Sequence, residues 1–229
     1  MSDQHREIKS FVQRPGRLTP AQRSALETLA PRFVVDFEPG GTDPAALFER
    51  DAPLMLEIGF GNGDSLVELA AAQRNWNVIG IEVHEPGVGH CLLMADKHEL
   101  AHFKIIRHDA IEVLREQLPA RCVSRLNLYF PDPWPKKRHH KRRILAPKFL
   151  DLVANALTED GTLHIATDWQ NYAEHIDEQM AADARYHMLE RVNHNGDQPL
   201  ERPGTKFERR GLALGHEIVD WKFTLAGTR

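Results

Sequence analysis

From residue 54 onward the chain alternates short apolar runs with segments of helical period, and this alternation restricts the possible folds more than any other feature. Residues 54–58, 77–83, 103–107, 124–130 and 163–167 read as strands. Residues 64–73, 86–100, 111–118, 147–157 and 169–184 read as the helices between or after them. Strands joined through helices need right-handed crossovers, which give a mostly parallel, doubly wound sheet with helices on both faces, an α/β fold. Residues 186–192 and 216–225 read as two last strands separated by a loop bearing Gly and Pro, expected as an antiparallel edge pair.

The first 40 residues have a different character. Arg6, Lys9, Arg14, Arg17 and Arg23 are interrupted by Pro15-Gly16 and Pro20, so 1–40 is expected to be a mobile basic arm and 41–229 the folded domain. Within the arm, residues 20–29 suit a short helix with Thr19 as N-cap and Pro20 at its first position. At 229 residues and 41% hydrophobic content the chain can bury a large core. The net charge of -4 means that a polyanion must be attracted by local patches, because the overall balance repels it. Two cysteines, Cys91 and Cys122, support neither a disulfide framework nor a thiolate metal site. With no secretory signal and no run long enough to span a bilayer, no membrane association is expected and the cytoplasm is the expected location. The sequence leaves monomer and homodimer equally open.

Residues 126–143 read Leu-Asn-Leu-Tyr-Phe-Pro-Asp-Pro-Trp-Pro-Lys-Lys-Arg-His-His-Lys-Arg-Arg. No helix passes through Pro131, Pro133 and Pro135, since each removes an amide donor and drives the preceding residue toward extended geometry. Asp132 and Trp134 are therefore presented by a rigid turn at the end of a strand, where open α/β sheets bind ligands. A run such as 136–143, with six Lys/Arg and two His, is commonly just solvated surface. Beside a rigid carboxylate and an aromatic ring, it suits a nucleobase presented on a polyanion.

The first strand ends in Glu57-Ile58-Gly59-Phe60-Gly61-Asn62-Gly63-Asp64. Gly59, Gly61 and Gly63 allow the backbone close to a ligand. The spacing misses the dinucleotide pattern G-x-G-x-x-G, because the third glycine arrives early. A pyrophosphate here would also face Glu57 and Asp64, a repulsion on the order of kcal/mol. A cationic ligand without phosphate, S-adenosylmethionine, fits better. Glu82 ends the second strand, suited to ribose hydroxyls, and Asp109 ends the third, suited to an adenine amino group. Glu57, Glu82, Asp109 and Asp132 thus share one sheet edge, although each singly could be a helix cap or a solvated acid.

His98-Glu99-Leu100-Ala101-His102 matches the zinc pattern H-E-x-x-H. It is rejected as a metal site, since a strand starting at Phe103 leaves His102 beyond the helix and no third ligand is evident. No metal is expected.

Glu57 to Gly63, then Gly80-Ile81-Glu82-Val83-His84, Pro131 to His139, and Thr205-Lys206-Phe207-Glu208-Arg209-Arg210-Gly211 together closely resemble the bacterial tRNA (guanine-N7-)-methyltransferase family over roughly residues 30 to 229. The glycine loop alone would indicate only a Rossmann-like class I methyltransferase. The proline-bracketed and Thr-Lys-Phe-Glu stretches carry the finer resemblance. It implies that Glu57, Glu82, Asp109 and Asp132, with the loop glycines, bind S-adenosylmethionine. It implies that Lys136, Asp168, Thr205, Lys206, Phe207 and Glu208 contact the substrate guanine of the tRNA variable loop. Arg138, His139, His140, Lys141, Arg142 and Arg143 would contact the tRNA.

Guanine N7 has an in-plane lone pair and no proton to lose, so its attack on a sulfonium methyl needs positioning more than a general base. A carboxylate such as Asp132 or Asp168 would stabilise the cationic base as it forms, which makes Asp132 the candidate catalytic residue. Trp134 and Phe207 suit either stacking on the base or core packing. Two other readings fit parts of the sequence, an RNA-binding protein without catalysis and a methylase of exocyclic amines. The second is disfavoured because 132–134 lacks the adjacent prolines of an Asp-Pro-Pro-Tyr turn.

Overall fold

The structure, a computed structural model, describes residues 9–12, 16–196 and 201–225. Its first elements are α1 (Pro20–Thr28), α2 (Ala30–Phe33), β1 (Val34–Val35) and α3 (Pro44–Phe48). Thr19 and Gln22 close a reciprocal capping box on α1, with Pro20 at the first helical position as expected. Part of the expected arm, from Pro20 to Val35, packs on the domain. Ala25 and Phe33 are buried with Leu92 and Phe103 in a core cluster, and β1 pairs parallel with a later strand through Val34 and Ile105. Apolar residues spaced along the basic segment bury once a partner surface exists, which composition alone does not reveal. Residues 1–8 of the expected arm lie outside the described residues.

The alternation then runs as the periodicity predicts. β2 (Leu54–Ile58), α4 (Asp64–Ala72), β3 (Asn77–Ile81), α5 (Glu85–Lys97), β4 (Phe103–Ile106) and α6 (Ala110–Glu112) follow in order. A π-helical turn, Val113–Gln117, extends α6. Next come β5 (Val123–Tyr129), a 3-10 turn (Lys137–Arg142), α7 (Pro147–Ala156), β6 (Leu157–Thr167), α8 (Gln170–Ala181) and β7 (Tyr186–His194). α9 (Lys206–Ala213) and β8 (Ile218–Leu225) close the chain. α9 stands where only a loop is expected from the sequence, and Thr205 and Glu208 form a capping box at its start.

Among the described residues eight strands form one sheet in the order β1-β4-β3-β2-β5-β6-β8-β7. All neighbours are parallel except β8, which runs antiparallel to both β6 and β7. The expected antiparallel edge is therefore present, with β8 inserted inside β7. Strand order reverses between β2 and β5, which opens a crevice beyond their carboxyl ends. Every residue of β2 and β3 is buried, the mark of central parallel strands covered on both faces.

One face packs Leu56, Ile58, Leu126, Leu128, Ile165 and Trp221 against Phe149, Leu150, Tyr172 and Ile176 of α7 and α8. On the other face, β2 to β4 pack Met55, Val78 and Phe103 against Leu66, Leu92 and Ala25 of α4, α5 and α1. Each fully buried side chain of this kind contributes about 1.5–3 kcal/mol. Over β5, β6 and β8 that second face is polar. Arg125, Asn127 and Tyr129 alternate with the core-facing Leu126 and Leu128; Arg125 and Tyr129 reach His164 of β6, and Arg125 also donates to Asn127 Oδ1.

Candidate active site

A cavity of about 590 Å³ opens at the carboxyl ends of β2, β3, β4 and β5. Gly59, Gly61, Glu82, Asp109 and Asp132 line it, with Trp134 and Phe207 at its walls. Three of the four strand-end acids therefore converge on one space.

Glu57, the fourth, lies beneath the cavity. It is 2% exposed, and its Oε2 has no hydrogen-bond partner among the described residues. Asn127, its register partner on β5, has an unpartnered Nδ2 as well. Burial pushes the Glu57 carboxyl up to about 7, offset only in part by the charges of Arg125 and Arg202. An orphaned buried acceptor beneath a cavity lined by further acids fits a cationic group and does not fit a pyrophosphate.

The glycine loop is held from below and from the side. Gly63 has φ 82° and caps α4, and an added β-carbon would stand 2.4 Å from Cys91 Sγ. Glu82 Oε2 accepts the Gly61 amide at 2.8 Å, while its Oε1 accepts the amides of Val83 at 2.7 Å and His84 at 2.9 Å. A carboxylate offers about four acceptor positions, so this brace leaves room for one more donor. Asp109 has two partners. Its Oδ1 accepts the Ile111 amide and caps α6, and its Oδ2 lies 2.6 Å from Lys9 Nζ. That contact belongs to residues 9–12, whose Ser10, Phe11 and Val12 line the cavity and whose Ser10 carbonyl accepts from Trp134 Nε1 at 3.0 Å. Nothing in the local pattern of 9–12 signals a partner 124 residues away.

The proline turn is strained at both ends. Phe130 has φ 49° and Trp134 φ 45°, a left-handed conformation rare for aromatic residues. The strain frames Asp132, which is exposed between Pro131 and Pro133. Arg142 lies over the Trp134 ring at 5.0 Å and His139 meets its edge at 5.9 Å. Trp134 therefore walls the cavity while carrying basic side chains on its outer side.

The basic run divides in two. Lys136, Lys137, Arg138 and Lys141 are exposed. Arg143 is not part of the surface patch expected of it. It is 5% exposed, donates through Nε to the Pro133 carbonyl at 3.0 Å and through Nη2 to Asn171 Oδ1 at 2.7 Å, and stacks on Tyr172. His140 contacts Arg143 at 3.3 Å and is half-buried. Sequence position alone does not distinguish a solvated Arg from one that pins the turn.

The expected guanine contacts also divide. Phe207 is 52% exposed on the cavity rim, and Lys206 beside it is exposed. Thr205 and Glu208 are buried in the α9 capping box, and Glu208 Oε2 also accepts Arg202 Nη1, so Glu208 holds the helix and does not face the cavity. Asp168 lies just past β6, outside the cavity lining, with Oδ2 3.0 Å from His216 Nδ1. His102 is buried with its Nε2 2.9 Å from the Ala70 carbonyl oxygen. Among the described residues no helix is long and apolar enough to cross a membrane.

A family model described as "Putative methyltransferase" matches residues 51–221. A tRNA (guanine-N(7)-)-methyltransferase of Halorhodospira halophila is 49% identical over 97% of this chain and 96% of its own length. The tRNA (guanine-N(7)-)-methyltransferase of Alcanivorax borkumensis is 48% identical over 95% of this chain and 91% of its own. The chain belongs to the tRNA (guanine-N7-)-methyltransferase family. Among solved structures, the 16S rRNA methyltransferase KamB superposes with a TM-score of 0.61 at 16% identity, covering 85% of this chain and 99% of that one. At that identity the likeness concerns the fold, a class I methyltransferase fold. In this tRNA (guanine-N7-)-methyltransferase family member, the strand-end acids Glu82, Asp109 and Asp132 line one crevice with the loop glycines Gly59 and Gly61.

Proposed function

We propose that the chain transfers the methyl group of S-adenosylmethionine to N7 of the variable-loop guanine of tRNA, position 46. The observation that carries this reading is the cavity itself, where Glu82, Asp109 and Asp132 meet Trp134 and Phe207 beside four exposed basic residues.

Glu82 and Asp109 would hold the cofactor's hydroxyl and amino groups, and Glu57 would stabilise its positive charge from below. Bound there, the cofactor supplies a methyl carbon made electrophilic by the attached sulfonium. Pro131, Pro133 and the left-handed Phe130 and Trp134 hold Asp132 rigidly at the mouth. Trp134 and Phe207 wall the space a flat base would enter and exclude water from it. The cofactor would give up this methyl group to the guanine N7 lone pair and keep the electron pair of its carbon–sulfur bond. No proton moves, so the transfer asks for positioning and not for a general base. Asp132, in the cavity lining, would stabilise the positive charge that develops on the base. Lys136, Lys137, Arg138 and Lys141 would take tRNA phosphates, and the reading carries a cytoplasmic location with it.

Incubating the protein with cofactor and tRNA lacking the modification, then digesting to nucleosides, is expected to yield 7-methylguanosine. Label on an exocyclic amine, or no transfer at all, would defeat the reading.

A further inference from the structure

On the polar half of the sheet, the segment that carries Phe207 is docked by charge and not by apolar packing. Arg202 is the centre of this contact, with its side chain fully buried. Its Nε and Nη2 donate to Asp220 Oδ1 and Oδ2 at 2.7 and 2.8 Å, a bidentate pair with β8. Nη1 donates to Glu208 Oε2 at 2.5 Å, and that carboxylate also accepts the Thr205 amide at the start of α9. The guanidinium lies over the rings of Tyr129 and Phe130 at 5.2 and 5.5 Å. The Asp220 carboxylate is reached from its other sides by His164 at 2.9 Å and His194 at 3.3 Å.

Two of these contacts lead to the cavity lining, at Phe130 and at Phe207. Phe130 begins the strained turn that presents Asp132. Glu208 follows Phe207 directly, and Phe207 comes so near the glycine loop that a β-carbon on Gly61 would lie 3.7 Å from its ring. A guanidinium is rigid and planar, so its five donors fix directions as well as distances. We propose that Arg202 is a positioning residue for methyl transfer: it sets the spacing between Phe207 and the Asp132 turn, and so the slot a planar base enters, without touching the base. This rests on the reading that a nucleobase enters between those walls.

The test is a double-mutant cycle on the single-turnover methylation rate at saturating tRNA and cofactor. Arg202→Lys keeps the charge and removes the fork. It is expected to retain cofactor affinity within about twofold and to lose 10- to 100-fold in rate, the range expected for misplacement on the order of 1 Å. If Arg202 acts through Phe207, adding Arg202→Lys to Phe207→Ala lowers the rate no more than about threefold further. A lowered Tm with a rate within threefold of wild type would make Arg202 structural only and overturn the proposal, and so would losses that simply multiply. Should Arg202→Lys fail to fold, Asp220→Asn loosens the same fork and enters the same cycle with the same expectations. Wild-type protein that forms no 7-methylguanosine would defeat the functional reading, whereas active wild type with an indifferent Arg202 variant defeats only this role.

Discussion

Glu82 Oε2 accepts the Gly61 amide at 2.8 Å, so the acid at the end of one strand holds the glycine loop that follows its neighbour. The same carboxylate gathers the amides of Val83 and His84, which turns the chain toward α5. Its shape therefore serves the loop, and three of its roughly four acceptor positions are taken by backbone amides while the residue lines the cavity.

Glu82→Ala is expected to weaken cofactor binding by about 10- to 150-fold, since a lost charged hydrogen-bond acceptor costs about 1.5–3 kcal/mol. Glu82→Gln retains one acceptor oxygen and should fall between. Titration calorimetry on folded protein measures both, and unchanged affinity in Glu82→Ala would remove Glu82 from the cofactor site.

Gly87 tests how closely α5 is seated against that loop. A β-carbon there would lie 2.1 Å from the Gly61 carbonyl oxygen, a backbone atom that cannot swing aside. Gly87→Ala is expected to cost about 1–3 kcal/mol, as overpacking does. That corresponds to roughly 2–12 °C in Tm for a domain of this size, with weaker cofactor binding alongside. A thermal scan with unchanged Tm would contradict the geometry.

Asp132→Asn keeps the size of the side chain and removes its charge. Fold and tRNA affinity should persist while the single-turnover rate falls about 10²- to 10³-fold, the range for one preorganised electrostatic contact. A rate within about threefold of wild type would make Asp132 a residue of the turn alone.

Glu57 predicts a pH dependence. The folded protein keeps a proton on this carboxyl up to about 7, against 4.5 when unfolded, because burial disfavours the anion. Between those values the folded state binds more protons, so stability falls as pH rises, and the full cost is present above about 7. The size is on the order of 3 kcal/mol, and Glu57→Gln should be the more stable protein at pH 8 in urea denaturation. A bound cation would favour the anion, so cofactor affinity in the wild type should rise from pH 5.5 to 7.5 relative to Glu57→Gln. Parallel pH profiles for the two proteins would show that the cofactor's charge does not reach Glu57.

The divided basic run predicts two different phenotypes. Neutralising exposed Arg138 and Lys141 should flatten the slope of log tRNA affinity against log salt by roughly 1.5. Arg143→Ala should leave that slope unchanged and lower Tm, since it removes buried bonds to Pro133 and Asn171. Equal slopes in all variants would mean that the run is not a phosphate site.

The sequence by itself determined the alternating architecture and the row of acids at one sheet edge. Strands covered on both faces must be continuously apolar, so Leu54–Ile58 was legible to the residue, and loops at their ends must carry the glycines and carboxylates. The capped α1 was equally legible, because a cap is a contact three residues long. Tertiary structure alone decided which charged groups remain available. Arg143 and Lys141 stand two residues apart in the same run, yet one pins a turn and the other faces solvent. Glu208, expected near the base, closes the start of a helix and pairs with Arg202. The physical reason is that burial and ion pairing depend on partners distant in the chain, Asp220 for Arg202, Asn171 for Arg143 and Ser10 for Trp134. The left-handed turns at Phe130 and Trp134 follow the same rule, since strain of that kind persists only where the surrounding packing imposes it.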